Sequence, residues 1–168
     1  IDKKQSLVIS YGNLPWKNTA LKKDIEAITN KQVDVENDAK LAALYEARQL
    51  KNINQKVLYI TFSTGIGAGL VFNGSLDEAM LDSEAGQMLL PNPDKNGSLE
   101  RWEIFASGKA LYEKSGKKAQ DLTDEKAWSE HAKKMSLGII DLCAVIEPDT
   151  IIIGGSIGTY LDKYSKLL

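Results

Sequence analysis

A run of alternating glycines between two strand-like segments constrains the fold of this chain more than any other feature. The residues at 57–62 are apolar and include β-branched and aromatic types, and apolar residues return at 70–72, before an Asn73-Gly74 pair typical of a tight hairpin turn. Between the two segments lie Gly65, Gly67 and Gly69. The pattern predicts a hairpin whose glycines permit positive φ and turn backbone N–H groups toward an anion. A glycine-rich hairpin or bulge without a ligand fits the spacing equally well, because Gly-x-Gly-x-Gly alone is a weak signal.

The composition narrows the class of protein. The 168 residues are 43% hydrophobic and 26% charged, with a formal net charge of −2, as in an ordinary soluble globular protein. The slightly acidic balance argues against nucleic acid as a partner of this chain, and no apolar run reaches membrane-spanning length, so we expect a cytoplasmic protein. The single cysteine, Cys143, cannot form an internal disulfide and lies in an apolar helical pattern typical of a core residue.

Local patterns predict an alternation of strands and helices. We expect a strand at 6–10, a loop at 12–16, helices at 21–29, 39–50, 99–105, 108–114 and 124–146, and a buried strand at 150–153. Thr19 is expected to cap the first helix, either Thr123 or Asp124 to cap the helix at 124–146, and Asn30 to end a helix. The spacing in the helix at 39–50 puts four long side chains on one face: Leu41, Leu44, Tyr45 and Arg48.

Four polar islands interrupt these elements: Asn37-Asp38, Thr64-Gly65, Glu84 with Gln87, and Gly154-Gly155-Ser156. Each has a structural explanation when taken alone. Asp38 suits a helix N-cap, Glu84 suits a solvated surface, and the Gly-Gly-Ser segment suits a strand-to-helix turn. Taken together, the islands indicate a sugar kinase.

The order of the motifs resembles that of the ROK family (repressors, open reading frames and kinases), within the superfamily of sugar kinases, Hsp70 and actin. The resemblance runs through nearly all 168 residues. The matching pieces are Asn-Leu-Pro-Trp at 13–16, Val-Glu-Asn-Asp-Ala at 35–39, Ser-Thr-Gly-Ile-Gly-Ala-Gly at 63–69, Glu-Ala-Gly at 84–86, Leu-Glu at 99–100 before Ala-Ser-Gly at 106–108, and Ile-Ile-Ile-Gly-Gly at 151–155. The resemblance implies an α/β chain with the ribonuclease H-like (actin-like ATPase) fold, mostly the larger C-terminal domain of a ROK kinase.

The resemblance also implies roles for the residues that face the sugar. Asp38 corresponds to the general base that accepts the proton of the attacking hydroxyl, a role that suits a carboxylate kept ionised near a helix start. Glu84 and Glu100 align with the two carboxylates that hold sugar hydroxyls, although a helix first-turn position explains Glu100 as well. The remaining expected sugar contacts are Asn37, Gln87 and Thr19.

The same resemblance assigns a nucleotide site. Its phosphate element includes Thr64, Gly65 and Gly67, and its adenosine element includes Gly154, Gly155 and Ser156. ATP is the implied phosphoryl donor, and Mg²⁺ is expected to accompany it.

One departure concerns metal. Many family members carry His where Gln87 stands, followed by a cysteine cluster, and these residues bind a structural zinc. Glutamine is not a usual zinc ligand and residues 91–99 contain no cysteine, so we predict no zinc and expect packing and prolines to hold this loop. The only histidine, His131, is expected at a surface or partly buried position of the long helix.

A second departure concerns the extent of the chain. The resemblance divides it into 1–38, the tail of a small N-terminal α/β domain, and 39–168, the larger C-terminal domain. Family kinases open with a strand bearing Asp-x-Gly-Gly-Thr, and we expect that strand and the closing helices to lie outside this sequence. The chain alone should then be inactive, because part of the cleft is missing.

Two functions from different classes follow. The leading hypothesis is ATP-dependent phosphorylation of a hexose, with glucose first and mannose, N-acetylated hexosamines, fructose and β-glucosides open. The alternative is the sugar-sensing domain of a ROK-type transcriptional repressor, and a third possibility is a non-catalytic remnant. Retention of Asp38 and the glycine hairpin favours the kinase, and a homodimer is an open option.

Overall fold

The computed structural model describes the backbone of residues 7–11 and 14–168. The chain divides into two compact units, Ile1–Asp38 and Ala39–Leu168. The strands are β1 (Val8–Tyr11), β2 (Leu14–Thr19), β3 (Lys56–Phe62), β4 (Ile66–Phe72), β5 (Ser75–Leu76), β6 (Leu89–Asn92), β7 (Ser98–Arg101) and β8 (Thr150–Gly154). The helices are α1 (Leu21–Thr29), α2 (Asp38–Gln49), α3 (Trp102–Ala106), α4 (Gly108–Ser115), α5 (Glu125–Ile146) and α6 (Gly155–Gly158).

The first unit holds an antiparallel pair, β1 and β2, followed by α1. The predicted helix is confirmed, and Asn30 ends it in the left-handed conformation at φ 51°. The predicted loop at 12–16 is wrong from residue 14 onward, since β2 begins there; residues 12–13 lie outside the described part of the chain. Thr19 ends β2, and Ala20 occupies the N-cap of α1, so Thr19 is not the helix cap.

A four-stranded sheet with the order β5-β4-β3-β8 organises the second unit. The strand β3 is antiparallel to β4 and parallel to β8. The hairpin that follows β4 turns at Asn73-Gly74, both with positive φ, as the sequence predicts. The strand β8 is not buried throughout: Ile151 is 39% exposed, because β8 is the last strand on its side of the described sheet.

The glycines of β4 serve helix packing. Gly67 and Gly69 are regular strand residues, and positive φ occurs among the described glycines at Gly74, Gly97, Gly116 and Gly155, so the expected positive φ at 65, 67 and 69 is wrong. A Cβ on Gly69 would lie 2.6 Å from the Cβ of Ala43, and one on Gly67 would lie 2.9 Å from the Cβ of Ala39. The missing side chains therefore let α2 lie close against the sheet.

This close approach selects small residues on α2. Its buried face consists of Ala39, Lys40, Ala43 and Ala47. The long side chains that the spacing placed together do not form the buried face, since Leu41 is 49% and Tyr45 is 64% exposed. Large side chains would hold the helix away from β4.

The opposite face of the sheet carries the larger core. Leu58, Ile60 and Phe62 contact a cluster that includes Trp102, Trp128 and Met135 from α3 and α5. The rings of Phe62 and Trp102 meet edge to face at 5.3 Å between centroids. Of the two candidate caps, Asp124 rather than Thr123 caps α5, accepting hydrogen bonds from the backbone N–H groups of Lys126 and Ala127. The sheet is thus covered by α2 on one face and by α3 and α5 on the other.

A second hairpin precedes α3. The strands β6 and β7 pair antiparallel around a turn in which Asn96 and Gly97 have positive φ. The predicted helix at 99–105 is wrong in its first half, because residues 98–101 form β7 and the helix begins at Trp102.

Candidate functional site

The turn between β3 and β4 carries Thr64 and Gly65. It closes through a hydrogen bond from the N–H of Ser63 to the carbonyl of Gly65, 2.9 Å long. The N–H of Lys109, in the first turn of α4, donates to the carbonyl of Ser63 at 3.3 Å. The turn is therefore fixed to the start of α4.

Thr64 and Ser156, two residues assigned to the nucleotide site, line one cavity of about 400 Å³. The cavity is open to solvent on the surface of the second unit and is large enough for a small-molecule ligand. Lysines and tyrosines that the sequence reasoning missed complete its walls: Lys109, Tyr112, Lys118 and Tyr160, with Gln120 beside them. Because the sequence resemblance assigns Thr64 and Ser156 to a nucleotide site, we refer to this space as the nucleotide cavity.

The two glycines at the junction of β8 and α6 are required by their contacts with β3. A Cβ on Gly154 would lie 2.1 Å from the hydroxyl oxygen of Tyr59, and one on Gly155 would lie 2.5 Å from the carbonyl oxygen of Phe62. Gly155 also has φ +78°, a conformation that favours glycine. These constraints set the path that brings Ser156 to the nucleotide cavity.

A second polar group forms around Gln87. Its amide nitrogen donates to Oε1 of Glu103 at 2.7 Å, and its amide oxygen accepts from the guanidinium of Arg101 at 3.1 Å. Oε2 of Glu103 lies 3.0 Å from the position that a Cβ on Gly65 would take. Glu103 therefore lies next to the β3–β4 turn, and a larger residue at Gly65 would press on it.

Glu100 lies apart from this group. It belongs to β7, where its carboxylate accepts from the amide of Asn92 at 2.7 Å and binds the ammonium of Lys95. These bonds, that to Lys95 first, lower the pKa of Glu100. The structure thus brings Glu103, rather than Glu100, together with Gln87.

The sequence contains a pattern that could have identified Glu103 rather than Glu100 as the partner of Gln87. An Asn-Gly pair at 96–97 is a strong hairpin indicator, and a hairpin there ends in a strand that covers Glu100. The helix would then begin near Trp102 and include Glu103.

Glu84 lies at the start of a short 3-10 turn, Ala85–Gln87, and is exposed. The segment before it is tied to α2, because the ammonium of Lys40 donates to the carbonyl of Leu81. Lys40 is only 4% exposed. A buried cation at this position fixes the segment that leads to Glu84.

The remaining predicted residues belong to the first unit. Asp38 is the first residue of α2 and is exposed. Asn37 is half-buried, and its N–H donates to the carboxylate of Glu36 at 2.9 Å. Thr19 is half-buried at the end of β2.

Ion pairs contribute to holding the β6–β7 turn, for which the sequence predicted packing and prolines. Asp94 binds Lys114 of α4 at 2.8 Å and also Lys134 of α5, and Lys114 reaches Glu130 at 3.1 Å. The two lysines, Lys114 first, lower the pKa of Asp94, and Asp94 in turn raises the pKa of Lys114 to about 12. Across the described residues, no group of three His, Cys, Asp or Glu side chains converges as a metal site.

Comparison with known proteins identifies the family. The chain matches the ROK family over residues 1–167. It belongs to the ROK family. This ROK chain is 30% identical over 173 aligned residues to the N-acetylmannosamine kinase of Vibrio cholerae, an alignment that covers 88% of this chain and 59% of that protein. The chain thus spans less than two thirds of the length of this curated relative.

Two further proteins bear on fold and function. The crystal structure of a ROK family glucokinase from Streptomyces griseus, in complex with glucose and AMPPNP, superposes with a TM-score of 0.78 at 24% identity, over 99% of this chain and 67% of that one. This confirms the predicted actin-like ATPase fold. The xylose repressor of Bacillus subtilis is 35% identical over 118 residues, 66% of this chain and 30% of that protein.

Proposed function

We propose that the protein is an ATP-dependent sugar kinase that transfers the γ-phosphoryl group to a hexose hydroxyl. The observation that carries the proposal is the position of the β3–β4 turn. Thr64 lines the nucleotide cavity, and the adjacent Gly65 lies against Glu103, which binds Gln87. A phosphoryl donor and a polyhydroxylated acceptor can thus approach the turn from its two sides, as phosphoryl transfer requires.

On this proposal, the nucleotide cavity holds ATP. Thr64 and the backbone of the turn address the phosphates, Lys109 and Lys118 supply positive charge, and Tyr112 and Tyr160 offer aromatic surface to the base. Gly67 contributes by admitting α2 rather than by touching the nucleotide. Gly154 and Gly155 shape the wall that ends in Ser156.

The sugar side uses Glu84, Gln87 and Glu103. Carboxylate oxygens accept hydrogen bonds from hydroxyl groups, and an amide can both donate and accept. We assign Glu103 the second sugar carboxylate in place of Glu100, because Glu103 lies beside Gln87 and the turn whereas Glu100 is bound to Lys95 and Asn92. Asp38 is the proposed general base, with Asn37 and Thr19 as further sugar contacts.

Several finer statements belong to the same proposal. The units Ile1–Asp38 and Ala39–Leu168 correspond to the tail of the small domain and to the larger domain. Mg²⁺ accompanies ATP, no zinc is bound, the protein works in the cytoplasm, and a homodimer is its candidate assembly. None of the helices in the described residues has the length and apolar character needed to cross a bilayer.

The test is a coupled assay of ADP release with ATP, Mg²⁺ and a panel of hexoses that includes glucose, mannose and N-acetylmannosamine. It uses the full-length protein, because part of the cleft is expected to lie outside this sequence. We expect turnover with at least one of them and a large loss in Glu103→Gln, with little change in Glu100→Gln. Absence of turnover with every sugar of the panel contradicts the kinase proposal.

The similarity to a repressor supports one alternative, a sugar-sensing domain of a transcriptional repressor. At 35% identity over 118 residues, the xylose repressor supports a sugar-sensing role for the same fold. A protein that binds a sugar tightly, releases no ADP and retards operator DNA would establish that alternative.

A further inference from the structure

A second cavity of about 400 Å³ lies between α4, the turn before α5, and α5 itself. The helix α4 separates it from the nucleotide cavity: Gly108, Lys109 and Tyr112 face one, and Ala110, Leu111 and Lys114 face the other. None of the residues assigned to sugar or nucleotide lines this second cavity. We call it the α4–α5 cavity.

The charge around the α4–α5 cavity is positive. Four lysines line it, Lys114, Lys117, Lys126 and Lys134, against the two carboxylates of Asp124 and Glu130. Asp124 already caps α5, and Asp94 binds Lys114 and Lys134 from outside the lining. The four lysines outnumber the three nearby carboxylates, those of Asp94, Asp124 and Glu130, by one charge, and this net positive charge favours an anion near Lys117 and Lys126.

A buried side chain provides an independent observation. His131 lines the same cavity and is 3% exposed, so the expectation of a surface or partly buried position is wrong. Its Nε2 is buried and has no hydrogen-bond partner among the described residues. Burial first, then the charges of Lys134 and Lys114, lowers the pKa of His131 to about 4, which keeps the ring neutral at pH 7. A buried polar nitrogen without a partner is unfavourable, and a ligand that bonds it removes that cost.

We propose that the α4–α5 cavity binds a small phosphorylated metabolite of monosaccharide size. Lys117 and Lys126 hold the phosphoryl oxygens, and Nε2 of His131 shares a hydrogen bond with the ligand. Apolar side chains of Ala110, Leu111, Leu122 and Ala127 cover the less polar side of the sugar ring. A cavity of this volume is in the ordinary range for metabolite sites. The site does not depend on the proposed kinase activity.

The test follows the imidazole signals of His131 by NMR, assigned by their loss in His131→Gln. The protein is titrated with glucose 6-phosphate, inorganic phosphate and, as a neutral control, glucose. We expect a saturable shift with glucose 6-phosphate below about 1 mM, an ordinary metabolite affinity, and an upward movement of the His131 pKa. Half-saturation by inorganic phosphate should need a concentration at least about tenfold higher, since phosphate lacks the contacts made by the sugar ring. Equal saturation by both anions overturns the sugar part of the proposal.

A double variant distinguishes binding in the α4–α5 cavity from binding elsewhere on the surface. Lys117→Met with Lys126→Met should weaken the response by about tenfold, because two cations are removed. Lys133→Met, an exposed residue of α5 outside the lining, is the matched control and should leave it unchanged. Absence of a saturable shift with either anion, or an unchanged response in the double variant, overturns the site.

Discussion

The close contact between β4 and α2 predicts how substitution of Gly69 changes the free energy of unfolding. Replacing Gly69 with alanine would place a Cβ 2.6 Å from the Cβ of Ala43 and 3.1 Å from the Cα of Lys40. Carbon atoms pack favourably at about 3.5–4.0 Å, so α2 would have to move by about 1 Å or more. Overpacking of this kind costs about 1–3 kcal/mol. We expect Gly69→Ala to lower the free energy of unfolding by that amount.

A double-mutant cycle tests the same contact by also removing the opposing methyl group, that of Ala43. Ala43→Gly alone should cost about 1 kcal/mol, the helix penalty of glycine. In the double variant Ala43→Gly should restore part of the loss caused by Gly69→Ala, because it removes the nearest of the close contacts, that with the Cβ of Ala43. The assay is urea unfolding followed by tryptophan fluorescence, with the four proteins of the cycle measured together.

Gly97→Ala is the control. Gly97→Ala should lower the free energy of unfolding only because Gly97 has a φ of +77°, since no atom lies within 4 Å of the added Cβ. Ala43→Gly should not rescue it. Additive costs in the Gly69–Ala43 cycle would refute the packing explanation of the glycine run.

Three further variants test electrostatics and positioning. Lys114 and Lys134 lower the pKa of Asp94, so the contribution of Asp94 to folding stability is full above its unfolded pKa of 3.8 and is lost as pH falls through the lower folded pKa. Asp94→Asn should therefore weaken the loss of stability at acid pH, measured by chemical unfolding. An unchanged loss contradicts this. His131, with its pKa lowered from 6.5 to about 4, is protonated first in the unfolded chain, so its contribution to stability should fall by about 3 kcal/mol from pH 6.5 to 4. His131→Gln should remove that part of the pH dependence, and an unchanged decrease contradicts this. Lys40→Met should raise the KM for sugar more than that for ATP, with rescue by Lys40→Arg; equal changes in both would indicate general damage.

Much of the fold could be predicted from local chemistry. Asn30, Asp124 and the Asn73-Gly74 pair act through their own backbone or nearest neighbours, and each lies where the sequence put it. The buried face of α2 could not be found in this way. It depends on Gly67 and Gly69, residues of another strand, whose missing side chains favour alanine over leucine at the contact.

The candidate site shows the same division. Motif order led to Thr64, Ser156 and Gln87, but the partner of Gln87 depends on where β7 ends and α3 begins. Reading 99–105 as one helix therefore selected Glu100 and missed Glu103. His131 was misplaced for a related reason: burial on α5 depends on the elements packed around it, which helical spacing does not reveal.

The assignment of Asp38 as general base is the central claim, and turnover of its alanine variant tests it most directly. In the full-length protein, Asp38→Ala should lower kcat for ATP-dependent sugar phosphorylation by about 10²–10⁴, the usual contribution of a general base. The sugar Kd measured by calorimetry should stay within a few-fold of the parent value. Asp34→Ala is the matched control, because Asp34 is an exposed carboxylate four residues away whose partner is Lys22 at 3.6 Å. An Asp38→Ala protein that phosphorylates sugar at the parent rate would contradict the mechanism.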